Sequence, residues 1–263
     1  MAFAVKTGVD CREHRRRLPG LLSAVILTGS ATLDDWRPGI SDVDLVLITA
    51  RPVASADWAA LADMHAATKT GTVIDGVYLT ESQLVAGPDE VDAAPQVVGE
   101  ELTAEARGGE LTCVTWLQLQ RGIEGTISDD GVLRWVPCSR RFPAALDDAK
   151  AFSRSNLTEY WAPLAAQARE RLAGRSKTAT IDADTLQWIA LGPARLVATL
   201  ERDSIISKTE AASFASGRWP EFTDLLLRAA ASRAGEEVEF TVSDAWFALE
   251  LLERCVTAGM DAP

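Results

Sequence analysis

Residues 25–48, VILTGSATLDDWRPGISDVDLVLI, constrain the fold of this chain more than any other segment. Two apolar runs, at 25–27 and 45–48, are separated by a loop rich in Gly, Asp and Pro. Short apolar runs bounded by turn residues predict strands, and the nearly continuous second run is typical of a strand buried on both faces. Asp42 and Asp44 therefore lie where a core strand begins.

The two carboxylates predict a cation site. Side chains alternate along a strand, so Asp42 and Asp44 are expected on one face, about 7 Å apart. Like charges at this distance repel each other unless a cation lies between them. With the backbone of Gly29-Ser30 nearby, they predict a site for Mg²⁺ and a nucleoside triphosphate. The alternative is that Asp-Val-Asp is only the polar face of an amphipathic edge strand.

The charge balance bears on partners. The 263 residues include 26 Lys and Arg against 38 Asp and Glu, which gives a net charge of -12. An acidic surface repels nucleic acid and attracts cationic ligands, although acidity also serves solubility alone. We expect no nucleic-acid partner and a monomer. Apolar runs too short for a bilayer and an Arg-rich stretch near the N-terminus predict a cytoplasmic protein without a membrane partner.

Two other site classes are disfavoured. The four Cys residues are scattered without the spacing of a zinc site. His14 and His65 are the only histidines, and neither has a Ser or Cys at a sequence spacing that indicates a catalytic pair. A catalytic triad is therefore not expected.

The spacing of apolar residues and the positions of Gly and Pro predict an α/β half followed by a helical half. Helices are predicted at 12–22 and 54–70, the latter with Ser55 as N-cap, and a third strand at 72–80. Pro88 and Pro95 mark a loop, 111–119 is a strand or a strand-helix junction, and 127–135 is a hairpin turning at Asp130-Gly131. Helices are predicted at 146–173, 184–202, 208–216, 221–235 and 243–258. We expect an α/β mixed-sheet domain over 1–143 and an all-α bundle over 144–263.

Asp75 is a third candidate carboxylate. It lies within the third predicted strand beside apolar Ile74 and Val77, where an unpaired charge is costly to bury. If this strand pairs with the strand that carries Asp42 and Asp44, Asp75 completes a three-carboxylate cluster. The alternative is a solvent-facing Asp beside a Gly bulge.

Gly29-Ser30, Ser41-Asp42-Val43-Asp44 and a lone acid on a later strand resemble the DNA polymerase β-like nucleotidyltransferases. This resemblance implies that Gly29, Ser30 and Ser41 bind a triphosphate and that Asp42 and Asp44 bind two Mg²⁺ ions. It also implies that Asp75 is a metal ligand or the general base.

The C-terminal half resembles the helical domain of the aminoglycoside 3″-adenylyltransferases of the streptomycin/spectinomycin type. The resemblance rests on WIALGPAR, which ends at Arg195, and on IISKTEAA, which contains Lys208. It implies that both cations contact nucleotide phosphates in a cleft between the domains, and both side chains suit phosphate. Alternatively, Arg195 pairs with a local acid and Lys208 is solvated. Ser207 and Glu210 also predict a capping box.

Two features separate the chain from the characterised drug-modifying members. Their third acid is Glu, whereas Asp75 is shorter by one methylene, roughly 1.5 Å. Trp116 and Asp184 lie where those enzymes hold the drug, which makes them candidate substrate contacts. Alternatively, Trp116 is a core residue, and Asp182 and Asp184 are only helix N-caps.

The resemblance implies a Mg-dependent enzyme that moves AMP from the co-substrate ATP to a hydroxyl of a small cationic acceptor, such as an aminoglycoside. Two alternatives remain open: a nucleotidyltransferase that acts on a protein or a tRNA, and a nucleotide-binding protein without transfer activity.

Overall fold

The computed structural model describes residues 11–37, 39–67, 73–99, 101–106, 110–127 and 133–262. The chain divides into two compact units, Met1–Ala145 and Leu146–Pro263. The first contains a mixed sheet with helices and the second is almost entirely helical, which confirms the predicted fold class. Among the helices that the structure describes, none is long and apolar enough to span a bilayer.

The first unit is built on a seven-stranded sheet in the order β5-β4-β3-β2-β1-β6-β7. Strands β2 and β3 run parallel and are connected through α2, whereas the other neighbours are antiparallel. The elements follow one another as α1 (Cys11–Arg17), β1 (Leu22–Leu27), β2 (Val43–Thr49), α2 (Trp58–Ala67), β3 (Ile74–Thr80), α3 (Glu81–Ala86), β4 (Ala94–Val98), β5 (Glu101–Ala106), α4 (Cys113–Leu119), β6 (Ile123–Ile127) and β7 (Leu133–Pro137).

Strand β2 is buried on both faces, as its apolar run predicted. Leu45 and Leu47 belong to the apolar cluster that includes α2 residues. Val46 and Ile48 belong to the cluster on the opposite face, with Trp116 of α4. Because Asp44 alternates with Leu45, its side chain is directed toward the α4 face of the sheet.

Two predictions in this unit need correction near a proline. The helix predicted at 12–22 is present but ends at Arg17, because Pro19 and Gly20 follow, with Gly20 at φ +73°. The segment around Pro95 was predicted as a loop, but it forms β4, which pairs with both β3 and β5. The β4–β5 register shifts between Ala94 and Gln96, and a sheet tolerates proline at such an irregularity.

Other predictions hold with altered limits. Helix α2 begins at Trp58 after a short 3₁₀ turn, Ser55–Asp57, and the Asp57 carboxylate accepts from Ala54 N, so Ser55 is not the N-cap. Segment 111–119 contains helix α4, capped by Thr112. Strands β6 and β7 form the predicted hairpin, whose turn at 130–131 lies outside the described residues, as do 68–72.

The second unit contains all the predicted helices. Helices α5 and α6 are joined by a π-helical turn, Leu157–Trp161, and two short strands that were not predicted pair with each other. The elements are α5 (Leu146–Asn156), α6 (Ala162–Leu172), β8 (Thr180–Ile181), α7 (Ala183–Arg202), α8 (Lys208–Arg218), α9 (Thr223–Arg233), β9 (Phe240–Thr241) and α10 (Val242–Asp261).

Candidate active site

The parallel pairing of β2 and β3 brings the predicted carboxylates to one end of the sheet. Asp44 is in register with Asp75, and Asp42 directly precedes β2. Neighbouring strands lie about 4.8 Å apart, so these acids belong to one local cluster. All three residues are partly buried. The pairing of β3 with β2, on which a role for Asp75 depends, is therefore present.

Asp44 packs directly against Gly29. Gly29 has φ +58°, and a Cβ atom built on it would lie 1.7 Å from Asp44 Oδ2. A side chain at position 29 would therefore be strained in its backbone and would overlap the carboxylate. The Gly of the Gly-Ser turn is required by the position of the Asp44 carboxylate.

The Gly-Ser turn is held by neighbouring elements. Thr28 N donates to Asp44 O at 2.9 Å, and Gly29 N donates to Gln118 Oε1 of α4 at 3.2 Å. The hydroxyl of Ser30 is buried and has no hydrogen-bond partner among the described residues. Since a buried hydroxyl without a partner is costly, the Ser30 hydroxyl is a candidate hydrogen-bonding group for a ligand.

The loop before β2 is closed by its own polar groups. Arg37 N donates to Ser41 Oγ at 3.0 Å, and Trp36 Nε1 donates to the backbone oxygen of Asp42 at 3.1 Å. Ser41 is buried. These bonds fix the backbone from which Asp42 projects, whereas the predicted contact of Ser41 with phosphate stays a prediction.

Glu110 is a fourth acid that sequence reasoning missed. It precedes α4, and its carboxylate accepts from Thr115 Oγ1 at 3.4 Å. Burial raises its pKa to about 8, and the negative charges of Asp44, Asp75 and Asp42 add to the effect. The pKa of Asp75 is also raised, first by burial and then by Asp42, against a hydrogen bond from Gly99 N that lowers it.

The causes of these two shifts show that negative charges lie close to Glu110 and Asp75. In the described part of the chain, no group of three or more Asp, Glu, His or Cys side chains is arranged to hold a metal ion. Asp75 Oδ1 instead accepts from Gly99 N at 2.7 Å. The donor set still fits Mg²⁺, because carboxylate oxygens are its preferred ligands and a divalent cation would offset the mutual repulsion.

In the second unit, Arg195, one of the two predicted phosphate-binding cations, contacts the chain two residues before the other, Lys208. Arg195 Nε donates to Ile206 O at 3.0 Å, which ties α7 to the residues before α8. Lys208 is the first residue of α8 and follows the N-cap Ser207, whose capping box with Glu210 is confirmed. Phosphate binding by Arg195 and Lys208 stays a prediction.

The candidate substrate contacts lie in different settings. Trp116 is fully buried, and its Nε1 donates to Leu84 O at 3.0 Å, which corresponds to the core alternative. Asp182 caps α7 by accepting from Thr185 N at 2.8 Å. Asp184 is exposed in the first turn of the same helix. A ligand reaches Asp184 without rearrangement, but it reaches Trp116 only if the core opens.

No protein-family model and no curated protein matches this chain. Among solved structures, it is similar to the crystal structure of spectinomycin adenyltransferase AAD(9) from Enterococcus faecialis with ATP and spectinomycin. The two share 15% sequence identity, and the match covers 94% of this chain and 96% of that chain with a TM-score of 0.66. The likeness confirms the fold that the resemblance implied.

Proposed function

We propose that this protein is a Mg-dependent nucleotidyltransferase that moves AMP from ATP to a hydroxyl of a small cationic acceptor, such as an aminoglycoside. The observation that carries the proposal is the packing of Asp44 against Gly29, with Asp75 in register on the next strand. It joins a candidate phosphate-binding turn to a carboxylate cluster. The fold shared with an adenyltransferase crystallised with ATP and spectinomycin supports the same activity.

In the proposed reaction, Ser30 and the backbone of its turn bind the β- and γ-phosphates. Asp42 and Asp44 would hold Mg²⁺, which would supply positive charge to offset that of the phosphates. Asp75 orients the acceptor hydroxyl and takes its proton. The acceptor oxygen then bonds to the α-phosphorus as the bond to pyrophosphate breaks. We retain Arg195 and Lys208 as proposed phosphate contacts.

The acidic cluster also favours a cationic acceptor. Burial and the negative charges of Asp44, Asp75 and Asp42 raise the pKa of Glu110, and an ammonium group near these carboxylates would relieve their repulsion. The net charge of -12 acts in the same direction over longer distances. A tRNA acceptor is disfavoured by the same charges. The transfer assay distinguishes a protein acceptor, or a nucleotide-binding protein without transfer activity, from the proposed function.

The test is transfer itself. The protein is incubated with α-labelled ATP, Mg²⁺ and a panel of aminoglycosides, a tRNA pool and a protein pool, and adducts are identified by mass spectrometry. We expect AMP on an aminoglycoside hydroxyl and release of pyrophosphate. Label on tRNA or protein alone would replace the acceptor class. ATP binding without any adduct would support the non-transferring alternative.

Matched variants test the roles of individual acids. Asp44→Asn should abolish transfer and weaken Mg-dependent ATP binding, whereas Asp75→Asn should reduce transfer while ATP binding persists. Asp89→Asn is the control, because Asp89 is an exposed acid of the same unit outside the cluster. If Asp44→Asn leaves Mg-dependent ATP affinity equal to that of Asp89→Asn, the metal assignment is wrong.

A further inference from the structure

The helical unit contains a cavity of about 240 Å³, lined mainly by residues of α6, α7 and α10, with Arg175 after α6 and Ile181 of β8. Its wall is mainly apolar and includes the buried side chains of Leu172, Leu186 and Leu249. Ala168 and Ala245 also line it, and their short side chains leave the space open. The cavity suits an apolar molecule better than a cluster of waters, since it offers few polar partners.

The charged groups of this cavity are cations. Arg171 and Arg175 line it, and no Asp or Glu does so among the described residues, although acids outnumber bases in the chain. The exposed guanidinium group of Arg171 makes no hydrogen bond or ion pair within the part of the chain that the structure describes. The guanidinium group of Arg175, also exposed, donates one bond, to Thr180 O at 3.2 Å. A guanidinium group binds carboxylate oxygens with two parallel hydrogen bonds.

One wall of the cavity adjoins an irregular helix. Trp188 lines the cavity, and its ring centroid lies 4.8 Å from that of Trp161, the last residue of the π-helical turn. Tyr160 packs edge-on against Trp161 at 5.4 Å. π-Helical turns are frequent at functional sites because they reposition side chains that a regular helix would direct elsewhere. Here the turn places an aromatic pair behind the wall of the cavity.

We propose that this cavity is a binding site for a compact apolar molecule that carries one carboxylate. The apolar body lies against Leu172, Leu186 and Trp188, and the carboxylate pairs with Arg171 and Arg175 at the mouth. No residue that lines the cavity belongs to the acidic cluster, and the two arginines would repel a cationic acceptor. It is independent of the proposed transfer activity.

The test uses three aromatic probes of matched shape: 1-naphthoate, the neutral 1-naphthamide and the cationic 1-naphthylmethylammonium. Binding to the full chain is measured by titration calorimetry and by saturation-transfer NMR. We expect saturable one-to-one binding of naphthoate and weaker binding of the amide, with the cation weakest. The double variant Arg171→Gln/Arg175→Gln should lower naphthoate affinity roughly tenfold and leave amide affinity unchanged.

Two blocking variants locate the site. Ala168→Leu fills the cavity from α6, and Thr185→Leu narrows its exposed rim, so each should weaken both naphthoate and naphthamide. Thr185→Leu keeps the test valid if Ala168→Leu unfolds the protein, which circular dichroism detects. Arg254→Gln is the control, since Arg254 is an exposed helical arginine away from the cavity.

Three results would overturn the proposal. The first is the absence of saturable naphthoate binding at millimolar concentration. The second is equal affinity for naphthoate and naphthamide that the double arginine variant does not change. The third is binding that survives a folded blocking variant, because the probe then binds elsewhere.

Discussion

Replacing Gly29 with Ala should test the contact on which the candidate active site depends. The new Cβ atom would lie 1.7 Å from Asp44 Oδ2, 2.4 Å from Cγ and 2.8 Å from Cβ of the same residue. The overlap is with most of one side chain, so Asp44 must move. The backbone is also left-handed at Gly29, with φ +58°, which disfavours any residue with a Cβ.

The expected loss of stability has two parts. Holding Ala in the left-handed region costs about 1–2 kcal/mol. Displacing the packed Asp44 side chain adds about 1–3 kcal/mol, the usual cost of overpacking. The free energy of unfolding of Gly29→Ala should therefore fall by about 2–5 kcal/mol relative to wild type.

Gly39 supplies a matched control in the same loop. It has φ +76°, but a Cβ built there meets no heavy atom within 4 Å. Gly39→Ala should therefore cost only the backbone part, about 1–2 kcal/mol. Any gain from restricting the unfolded chain is common to both Gly→Ala variants and cancels in the comparison.

The assay is urea denaturation of the full chain, with the slope checked to be equal between variants. A double-mutant cycle adds Asp44→Ala, which removes the two closest atoms of the overlap. Gly29→Ala should then cost less than in the wild-type background. If Gly29→Ala and Gly39→Ala lose equal stability, or if the cycle shows no coupling, Asp44 does not pack on Gly29.

Three further predictions concern titration and capping. The pKa of Glu110 is raised to about 8, so the folded protein should lose stability as pH rises from about 4.5 to 8. In EDTA at pH 8, Glu110→Gln should therefore be more stable than wild type by at least about 1 kcal/mol, and a more stable wild type would contradict this. Burial lowers the pKa of His65 to about 4, so stability should fall as pH drops from 6.5 toward 4, and denaturation of His65→Gln should show a shallower decline. Ser207→Ala removes the N-cap of α8 and should cost about 1 kcal/mol in thermal or urea unfolding, whereas Ser243→Ala, at an exposed position in the first turn of α10, should be nearly neutral.

The parts of the site that follow from short-range pattern were predictable. The apolar run that contains Leu45 and Leu47 identified a core strand, and period-two alternation then set Asp42 and Asp44 on one face. The role of Asp75 depended on the pairing of β3 with β2, which the sequence alone did not predict. Strand partners depend on the whole sheet, and the register of Asp44 with Asp75 appears only when the strands are assembled.

The parts that failed depend on distant neighbours. Glu110 carries no motif, and it became a site residue because α4 and β3 bring it near Asp44 and Asp75. Its position after the β4–β5 hairpin was a usable signal, but reading Pro95 as a strand breaker concealed that hairpin. The indole of Trp116 was open to two interpretations because burial is a property of the assembled core.

The order of strands in the sheet has a consequence for synthesis of the chain. Strand β1 lies between β2 and β6, and its partner β6 begins only at Ile123. Until that residue leaves the ribosome, β1 presents the unpaired backbone groups of an apolar edge, the kind of surface on which chains aggregate. Nascent chains from which β6 has not yet emerged should therefore depend on chaperones, and those in which β6 and β7 have both left the ribosome should be released from that dependence.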